Sequence, residues 1–323
     1  MTGPKPAFLI IGSTGNTGVG VVNTLSSLLQ QGDHHAAFKD YRIIALTRNV
    51  SSSRAQEFTK FPNVEVVEKD WVYIDVKWLQ DNNIKRIFIA SHFGPTQFTD
   101  ESLILNYARE AGVEYVVRIS TTNAYIGPTT SVYHGRNHWA VEMLLSQPEF
   151  DAIKWTSLRP NGFIGNFVYP TQAWLAEYRK TGKQTPFRTN LDEKAPFAAV
   201  DPYEVGIIAA QLLTQEDVSK HASKKYVIAG PENLNGKQIV ELLEKHAGIK
   251  LDDVEYRDTK WAEMLKAMGT PEYLIPSIAT APTFSWDGSS SKEADPTNPE
   301  ILALYTPKNG ALEAIDKALQ AVQ

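Results

Sequence analysis

The run Gly12-Ser13-Thr14-Gly15-Asn16-Thr17-Gly18 puts three glycines in seven residues, between an apolar stretch at 7–11 and a segment of helical periodicity. Glycines there permit a tight turn, close approach of backbone to a pyrophosphate, and close helix–strand packing. The start of the following helix aims free N–H groups and a partial positive charge at the same point. The spacing is GxxGxxG rather than GxGxxG. A plain turn would share the composition, but a strand before and a helix after are the context in which such a loop binds a dinucleotide. The end of the second strand indicates which dinucleotide. A carboxylate there would hold a ribose 2′-hydroxyl. Instead the chain offers Thr47-Arg48-Asn49, with Ser51 to Ser53 and Arg54 close behind. The Arg48 guanidinium suits a 2′-phosphate, which predicts NADP(H).

In open α/β sheets the ligand lies beyond the carboxyl ends of the strands. That rule brings Ser91, His92, Phe93 and Gly94 to the cofactor, with Ser120, Thr121, Thr122 and the turn Asn161 to Phe163. Asp70 and Trp71 fall where an adenine edge would be met. The expected cofactor contacts are Gly12, Thr14, Gly15, Asn16, Thr17, Gly18, Arg48, Asp70, Ser91, His92, Phe93, Ser120, Thr121, Asn161 and Phe163. His134, His138 and Glu142 recur every fourth residue, near one helical face, and His92 could approach them. This is a metal-ligand set on paper. There is no HExxH pattern and a nicotinamide would take the same space, so no metal is expected. A serine hydrolase lacks its GxSxG elbow.

These residues need a sheet to carry them. Short β-rich runs at 7–11, 41–47, 64–68, 86–90, 115–120 and 155–158 alternate with helical patterns at 18–29, 100–111 and 135–145. Alternation of that kind predicts a Rossmann-type, doubly wound parallel α/β sheet. Further on, helices are expected at 171–180, 202–213 and 235–247, and a strand at 225–230 that returns to the sheet. The stretch 271–299, rich in proline, serine and threonine, reads as loop. The division expected is 1–160 for an NADP(H)-binding domain, with 198–230 returning to the sheet, and 161–323 mainly for a smaller, irregular substrate or cap lobe.

Composition sets the outer bounds. The 323 residues are 42% hydrophobic and 21% charged, within the range of globular chains, so wholesale disorder is excluded. The formal charge of −5 argues against a nucleic-acid or anionic-membrane partner. The absence of cysteine excludes disulfides, thiolate metal sites and a cysteine nucleophile. No apolar run approaches the ~18 residues of a membrane span, so a cytoplasmic protein without membrane association is expected. Nothing in the sequence sets an oligomeric state.

The glycine loop, Leu46-Thr47-Arg48, the run Leu158-Arg159-Pro160-Asn161-Gly162-Phe163-Ile164-Gly165-Asn166-Phe167, and Val200-Asp201-Pro202-Tyr203-Glu204-Val205-Gly206 together resemble the NmrA-like family. This is an atypical branch of the short-chain dehydrogenase/reductase superfamily. The resemblance runs from about residue 8 to about residue 247. It implies an NADP(H)-dependent reductase of quinones, dyes, phenylpropanoids or alkaloid intermediates, or a regulator that binds the dinucleotide without chemistry. Similar fungal enzymes act in specialised metabolism, including reduction of iminium species.

Short-chain dehydrogenases carry Tyr-x-x-x-Lys on the helix after the fifth strand. Aligned on Glu142 and Leu145, those positions fall on His134 and His138; Tyr133-x-x-x-Asn137 is the reading shifted by one. His138 is expected to orient the ribose with a charge that varies near neutral pH. His134 or Tyr133 is expected to supply a proton. The altered pair favours an electrophile already activated, an iminium, enone or quinone, over a plain ketone. Substrate contacts are expected from Phe93, Thr122, Phe163, Phe167 and Trp174. Tyr169 and Phe197 add to an aromatic lining, and Tyr256, Trp261, Tyr273 and Phe284 to a cap, suited to a bulky, flat substrate. Two alternatives stand beside the reductase. One is a pathway enzyme whose cofactor sets up a cyclisation or rearrangement; the other is a non-catalytic NADP(H)-sensing regulator.

Overall fold

The computed structural model describes residues 3–31, 36–92, 94–267 and 269–322. The first strand, β1 (Ala7–Ile11), is buried at every position, as a strand covered on both faces must be. Its side chains alternate between two cores. Phe8 and Ile10 point to one, and Leu9 and Ile11 to the other.

After β1 come α1 (Gly18–Gln30), β2 (Arg42–Thr47), α2 (Ser53–Phe58), β3 (Val64–Glu68), α3 (Val76–Asp81) and β4 (Ile84–Ile89). Then follow α4 (Gln97–Ala111), β5 (Tyr115–Ile119), α5 (Tyr133–Leu145) and β6 (Lys154–Pro160). The second half holds α6 (Gly165–Thr181), β7 (Phe187–Arg188), α7 (Pro202–Leu213), β8 (Lys224–Ile228), α8 (Gly236–Ala247) and β9 (Val254–Glu255). It ends with α9 (Met264–Ala267), α10 (Ile275–Ala279), α11 (Pro299–Leu302) and α12 (Ala311–Gln320).

Seven parallel strands form one sheet in the order β3-β2-β1-β4-β5-β6-β8. The order reverses between β1 and β4, which opens a crevice at their carboxyl ends. One face is covered by α1 and α7 through Val21, Val22, Leu25, Val205 and Ile208. The other is covered by α3, α4 and α5 through Leu79, Ile104, Leu105, Val141 and Leu145. A third core joins α6, α8 and α12 through Leu175, Ile239, Leu243, Ile315 and Leu319.

The outer edge of β8 is closed by the segment before α11. Asn298 Oδ1 accepts from Val227 N at 2.7 Å and Thr297 Oγ1 from Ala229 N at 2.9 Å. Paired side chains of this kind blunt a sheet edge that would otherwise offer free N–H groups to another chain. The same segment reaches the site: Ser290 O accepts from Asn161 Nδ2 at 2.8 Å and from Ala198 N at 3.0 Å.

Three differences from the sequence expectation have physical reasons. The helix expected at 171–180 begins at Gly165, with Pro170 inside it. Proline there reads as a breaker because it brings no N–H to the Asn166 carbonyl, yet the helix runs through it, and Thr171 Oγ1 adds bonds to the Phe167 and Val168 carbonyls. The stretch 271–299 folds into short turns, 3₁₀ at Glu272–Leu274 and Ala281–Ser285 with α10 between them. Pieces this short carry no periodicity to read. The amphipathic α12, with Ala311, Ile315 and Leu319 buried, lies in a stretch assigned no element from sequence, as do α2 and α3. Among the described residues no helix is long and apolar enough to cross a membrane.

The packing of α1 on α7 gives a first test. A Cβ on Gly206 would stand 2.8 Å from Gly20 Cα and would also collide with the Thr17 carbonyl. Gly206→Ala is expected to lower unfolding free energy by about 1–3 kcal/mol in urea, as overpacking does. Gly127→Ala, with nothing within 4 Å of the added atom, should change it by less than about 0.5 kcal/mol.

Candidate functional site

A cavity of about 1180 Å³ opens at the carboxyl ends of the strands. One end is floored by the glycine loop. Gly12 has φ +79°, and a Cβ there would lie 2.5 Å from Ala90 O, so the turn can run this close to β4 only without a side chain. Ser13 Oγ donates to Leu46 O, and Arg54 Nη1 donates to Thr14 O at 2.8 Å. The loop is thus tied to β2 and to α2, and Thr14 to Thr17 face the cavity at the start of α1. Gly18 differs from the expectation. It does not line the cavity, because it packs beneath the loop where a Cβ would strike Gly12 O and lie 2.7 Å from Ser13 Cα.

Arg48 lines the same end, exposed, and makes no hydrogen bond or ion pair among the described residues. Lys69 stands with it at the end of β3. Sequence reasoning passed over this second cation, although the carboxyl-end rule that found Asp70 and Trp71 applies one residue earlier. Asp70 itself lines the cavity and caps the turn Trp71–Tyr73, accepting from Val72 N at 3.3 Å.

The middle of the cavity rests on a buried polar floor. Arg118 on β5 and Glu101 on α4 form an ion pair at 2.8 Å with both side chains fully buried. Arg118 also donates to Ser157 Oγ at 3.0 Å and to His138 Nδ1 at 2.8 Å. Ser91 Oγ donates to Glu101 at 2.6 Å, and the Gln97 amide nitrogen lies 3.0 Å from Glu101 Oε1 and from His138 Nε2. One strand over, Glu142 on α5 accepts from Arg159, from Ser157 Oγ at 2.8 Å and from Ser120 Oγ at 3.0 Å. Burial pushes the Glu142 carboxyl up, but the Arg159 hydrogen bond and the charges of Arg118 and Arg159 outweigh it and hold it below the usual range.

His134 and His138 both line this part of the cavity, as expected, but not as titrating groups. Burial pushes His134 down to about 3. Burial first, then the charges of Arg118, His134 and Arg159, hold His138 well below its ordinary value. Both rings are neutral at pH 7. This corrects the expected near-neutral charge switch at His138 and the expected imidazolium acid at His134. Tyr133 is also corrected. Its ring packs with Ala262, Ile275 and Ile278 under the C-terminal turns, does not line the cavity, and burial pushes its phenol to about 12. Tyr125, which sequence reasoning missed, does line it.

Ser91, His92, Ser120, Thr121, Thr122, Asn161 and Phe163 line the cavity together. Phe93 lies outside the described residues. The far end is walled by Phe163, Phe167, Tyr169, Trp261, Met264 and Leu265, with Arg188 as its cation. Trp174 is placed elsewhere. It stacks on Tyr178 at 5.4 Å and donates from Nε1 to Thr185 O at 2.8 Å, so its ring fills the third core rather than the cavity. Phe197 lies behind the wall, edge-on to Phe167 at 5.7 Å. Of the expected cap, only Trp261 lines this cavity; Tyr273 is exposed, Tyr256 packs on the third core, and Phe284 lies against Tyr125. Among the described residues no group of three His, Asp or Glu side chains is placed to hold a metal ion.

The sequence pattern of the NmrA-like family matches residues 4–309. The chain is 25% identical over 195 residues to an NAD(P)H azoreductase of Xenophilus azovorans, covering 60% of this chain and 63% of that one. It is 28% identical over 169 residues to Festuclavine synthase II of Penicillium roqueforti, covering 52% of each. Each match therefore spans less than two thirds of the curated relative. The crystal structure of an NADPH-dependent quinone oxidoreductase from Escherichia coli, complexed with NADPH, superposes with a TM-score of 0.67 at 21% identity, covering 96% of this chain and 99% of that one. That likeness is one of fold.

The neutral histidines predict a pH-dependent stability. His134 binds a proton near pH 6.5 when unfolded and near 3 when folded, so the unfolded state holds more protons between those values. Its contribution to stability is complete above pH 6.5 and declines as pH falls toward 3. Urea unfolding between pH 6.5 and 5 should show stability dropping by up to about 1.4 kcal/mol per pH unit for each buried histidine. His134→Asn should make that slope shallower by about one proton.

Proposed function

The chain belongs to the NmrA-like family, and from that premise we propose that it is an NADP(H)-dependent reductase of a bulky, electron-poor organic acceptor. One observation carries the reading. A single cavity joins a glycine loop and two cations at one end to an aromatic wall at the other, over a floor of neutral histidines. Its volume exceeds the roughly 300–1,000 Å³ of ordinary ligand pockets, which leaves room for a dinucleotide and a second molecule.

The residues fit the cofactor. The N–H groups at the start of α1 would hold the phosphates at Thr14 to Thr17. Arg48 and Lys69 would neutralise a 2′-phosphate, and Asp70 and Trp71 would border the adenine. Ser91, His92, Ser120, Thr121, His138, Asn161 and Phe163 would border the nicotinamide ribose and ring. Bound there, the dinucleotide supplies a hydride. In this reading 1–160 with 198–230 is the cofactor-binding part, and most of 161–323 closes over the acceptor.

The acceptor class follows from the floor. An imidazole that stays neutral to about pH 3 is a poor acid at neutral pH, so His134 offers little help to an unactivated ketone. An iminium, enone or quinone already carries the electron deficiency that hydride transfer needs. The aromatic wall of Phe163, Phe167, Tyr169 and Trp261 suits a flat, apolar body. The azoreductase and Festuclavine synthase II relatives lend weight to a reductase. We extend the reading to specialised metabolism on the strength of the family resemblance.

Calorimetric titration with NADPH and NADH tests the reading. NADPH should bind tighter than NADH, and Arg48→Ala should weaken NADPH by about 10–100-fold while changing NADH little, the effect of one charge-assisted phosphate contact. Absence of binding by either dinucleotide refutes the reading.

A further inference from the structure

The carboxyl end of β5 carries a hydroxyl pair to which the roles above give no proton chemistry. Tyr125 and Thr121 both line the cavity, and Tyr125 Oη lies 2.8 Å from Thr121 Oγ1. The Tyr125 ring is held edge-on by His134 at 5.4 Å and by Phe284 at 6.1 Å. Its backbone is fixed as well. The Tyr125 carbonyl sits so close to α5 that a Cβ on Gly135 would collide with it. The phenol is therefore oriented by three separate elements.

A quinone or enone needs a proton as well as a hydride, and the two neutral histidines are poor sources of one. Resting on the reductase reading above, we propose that Tyr125 is the proton source of the reaction, acting across the Thr121 hydroxyl. The acceptor receives the hydride with its electron pair from the dihydronicotinamide. The acceptor oxygen takes the Thr121 proton as Thr121 Oγ1 takes the Tyr125 proton, and the tyrosinate regains a proton from solvent. The sum is quinone plus NADPH plus one proton giving hydroquinone plus NADP⁺.

A hydroxyl both accepts and donates, so Thr121 can pass a proton without ionising. Burial raises the Tyr125 phenol above its ordinary value, and its hydrogen bonds with Thr121 and Thr122 bring it part of the way back. It therefore stays protonated through the neutral range, but as a weaker acid than a free phenol. The contribution expected is at or below the lower end of general acid catalysis, about 10–100-fold.

Two acceptors separate a proton source from a structural tyrosine. Menadione is neutral and must be protonated. Malachite green is a cation and takes hydride alone. Tyr125→Phe keeps the ring against His134 and Phe284, and Thr121→Val keeps the shape of the side chain. Each should lower kcat on menadione about 10–100-fold more than kcat on malachite green, with KM for menadione within about threefold. Equal losses on both acceptors, or no loss on menadione, overturn the proposal.

A second readout needs no turnover. The apoprotein is titrated with 4-nitrophenol and the bound phenolate followed by absorbance. Donation from the hydroxyl pair should make the bound probe ionise about one pH unit lower in the unsubstituted protein than in Tyr125→Phe. Identical titrations overturn the proposal. Unsubstituted protein that reduces neither acceptor with NADPH refutes the reductase reading instead, and the nitrophenol titration still decides whether Tyr125 donates.

Discussion

The buried ion pair between Arg118 and Glu101 is the interaction on which the site depends. Both side chains are fully buried, and removing either would leave an uncompensated charge at a cost of about 3–5 kcal/mol. The remaining guanidinium hydrogens reach Ser157 on β6 and His138 on α5. One side chain therefore registers two strands and two helices against each other. Glu142 and Arg159 repeat the arrangement one strand along. Apolar packing brings α4 and α5 onto the sheet; the paired charges fix where along the sheet they stop. A floor assembled this way holds hydroxyls and imidazoles in place without leaving them free to ionise.

This arrangement accounts for the state of the two histidines on α5. The family resemblance aligns His138 with the lysine of the superfamily pattern. Here the positive charge comes from Arg118, one layer below and 2.8 Å from the ring. A second cation at position 138 would face that charge in a dry environment, and the depressed histidine is the result. The buried positive charge stands on the strand, at Arg118, and the two imidazoles facing the cavity are neutral. In the reading proposed above, neutral groups on α5 go with an acceptor that arrives already polarised.

Much of the sheet was legible from the chain because a doubly covered parallel sheet writes itself in apolar runs. The strands at 7–11 and 64–68 and the helix at 202–213 coincide with the observed ends, and the others differ by a few residues. The glycine loop and the carboxyl-end positions were legible for the same reason, since topology alone puts them at one crevice. What stayed hidden depends on contacts between distant segments. Tyr133 and Trp174 are aromatic residues near the right place, and only packing decides that they serve cores. The neutral state of His134 and His138 follows from burial and from Arg118, neither of which spacing reveals. Tyr125 follows Thr121 and Thr122 by a few residues, but its place at the cavity comes from a turn packed against Gly135 and Phe284.

The segment that closes the edge of β8 has a consequence for biosynthesis. β6 and its partner β8 are roughly 70 residues apart, and the Thr297 and Asn298 side chains that seal β8 come about 70 later still. At a translation rate of about 5–20 residues per second, each gap lasts on the order of 4–14 s. The growing chain thus presents first an open β6 edge and then an open β8 edge for seconds at a time, each able to capture a neighbouring chain. Asn161 waits through both intervals for the Ser290 carbonyl that fixes its amide. The crevice can be roughed out early in synthesis, but its final geometry is vectorial, completed only when the last fifth of the chain has joined the first half.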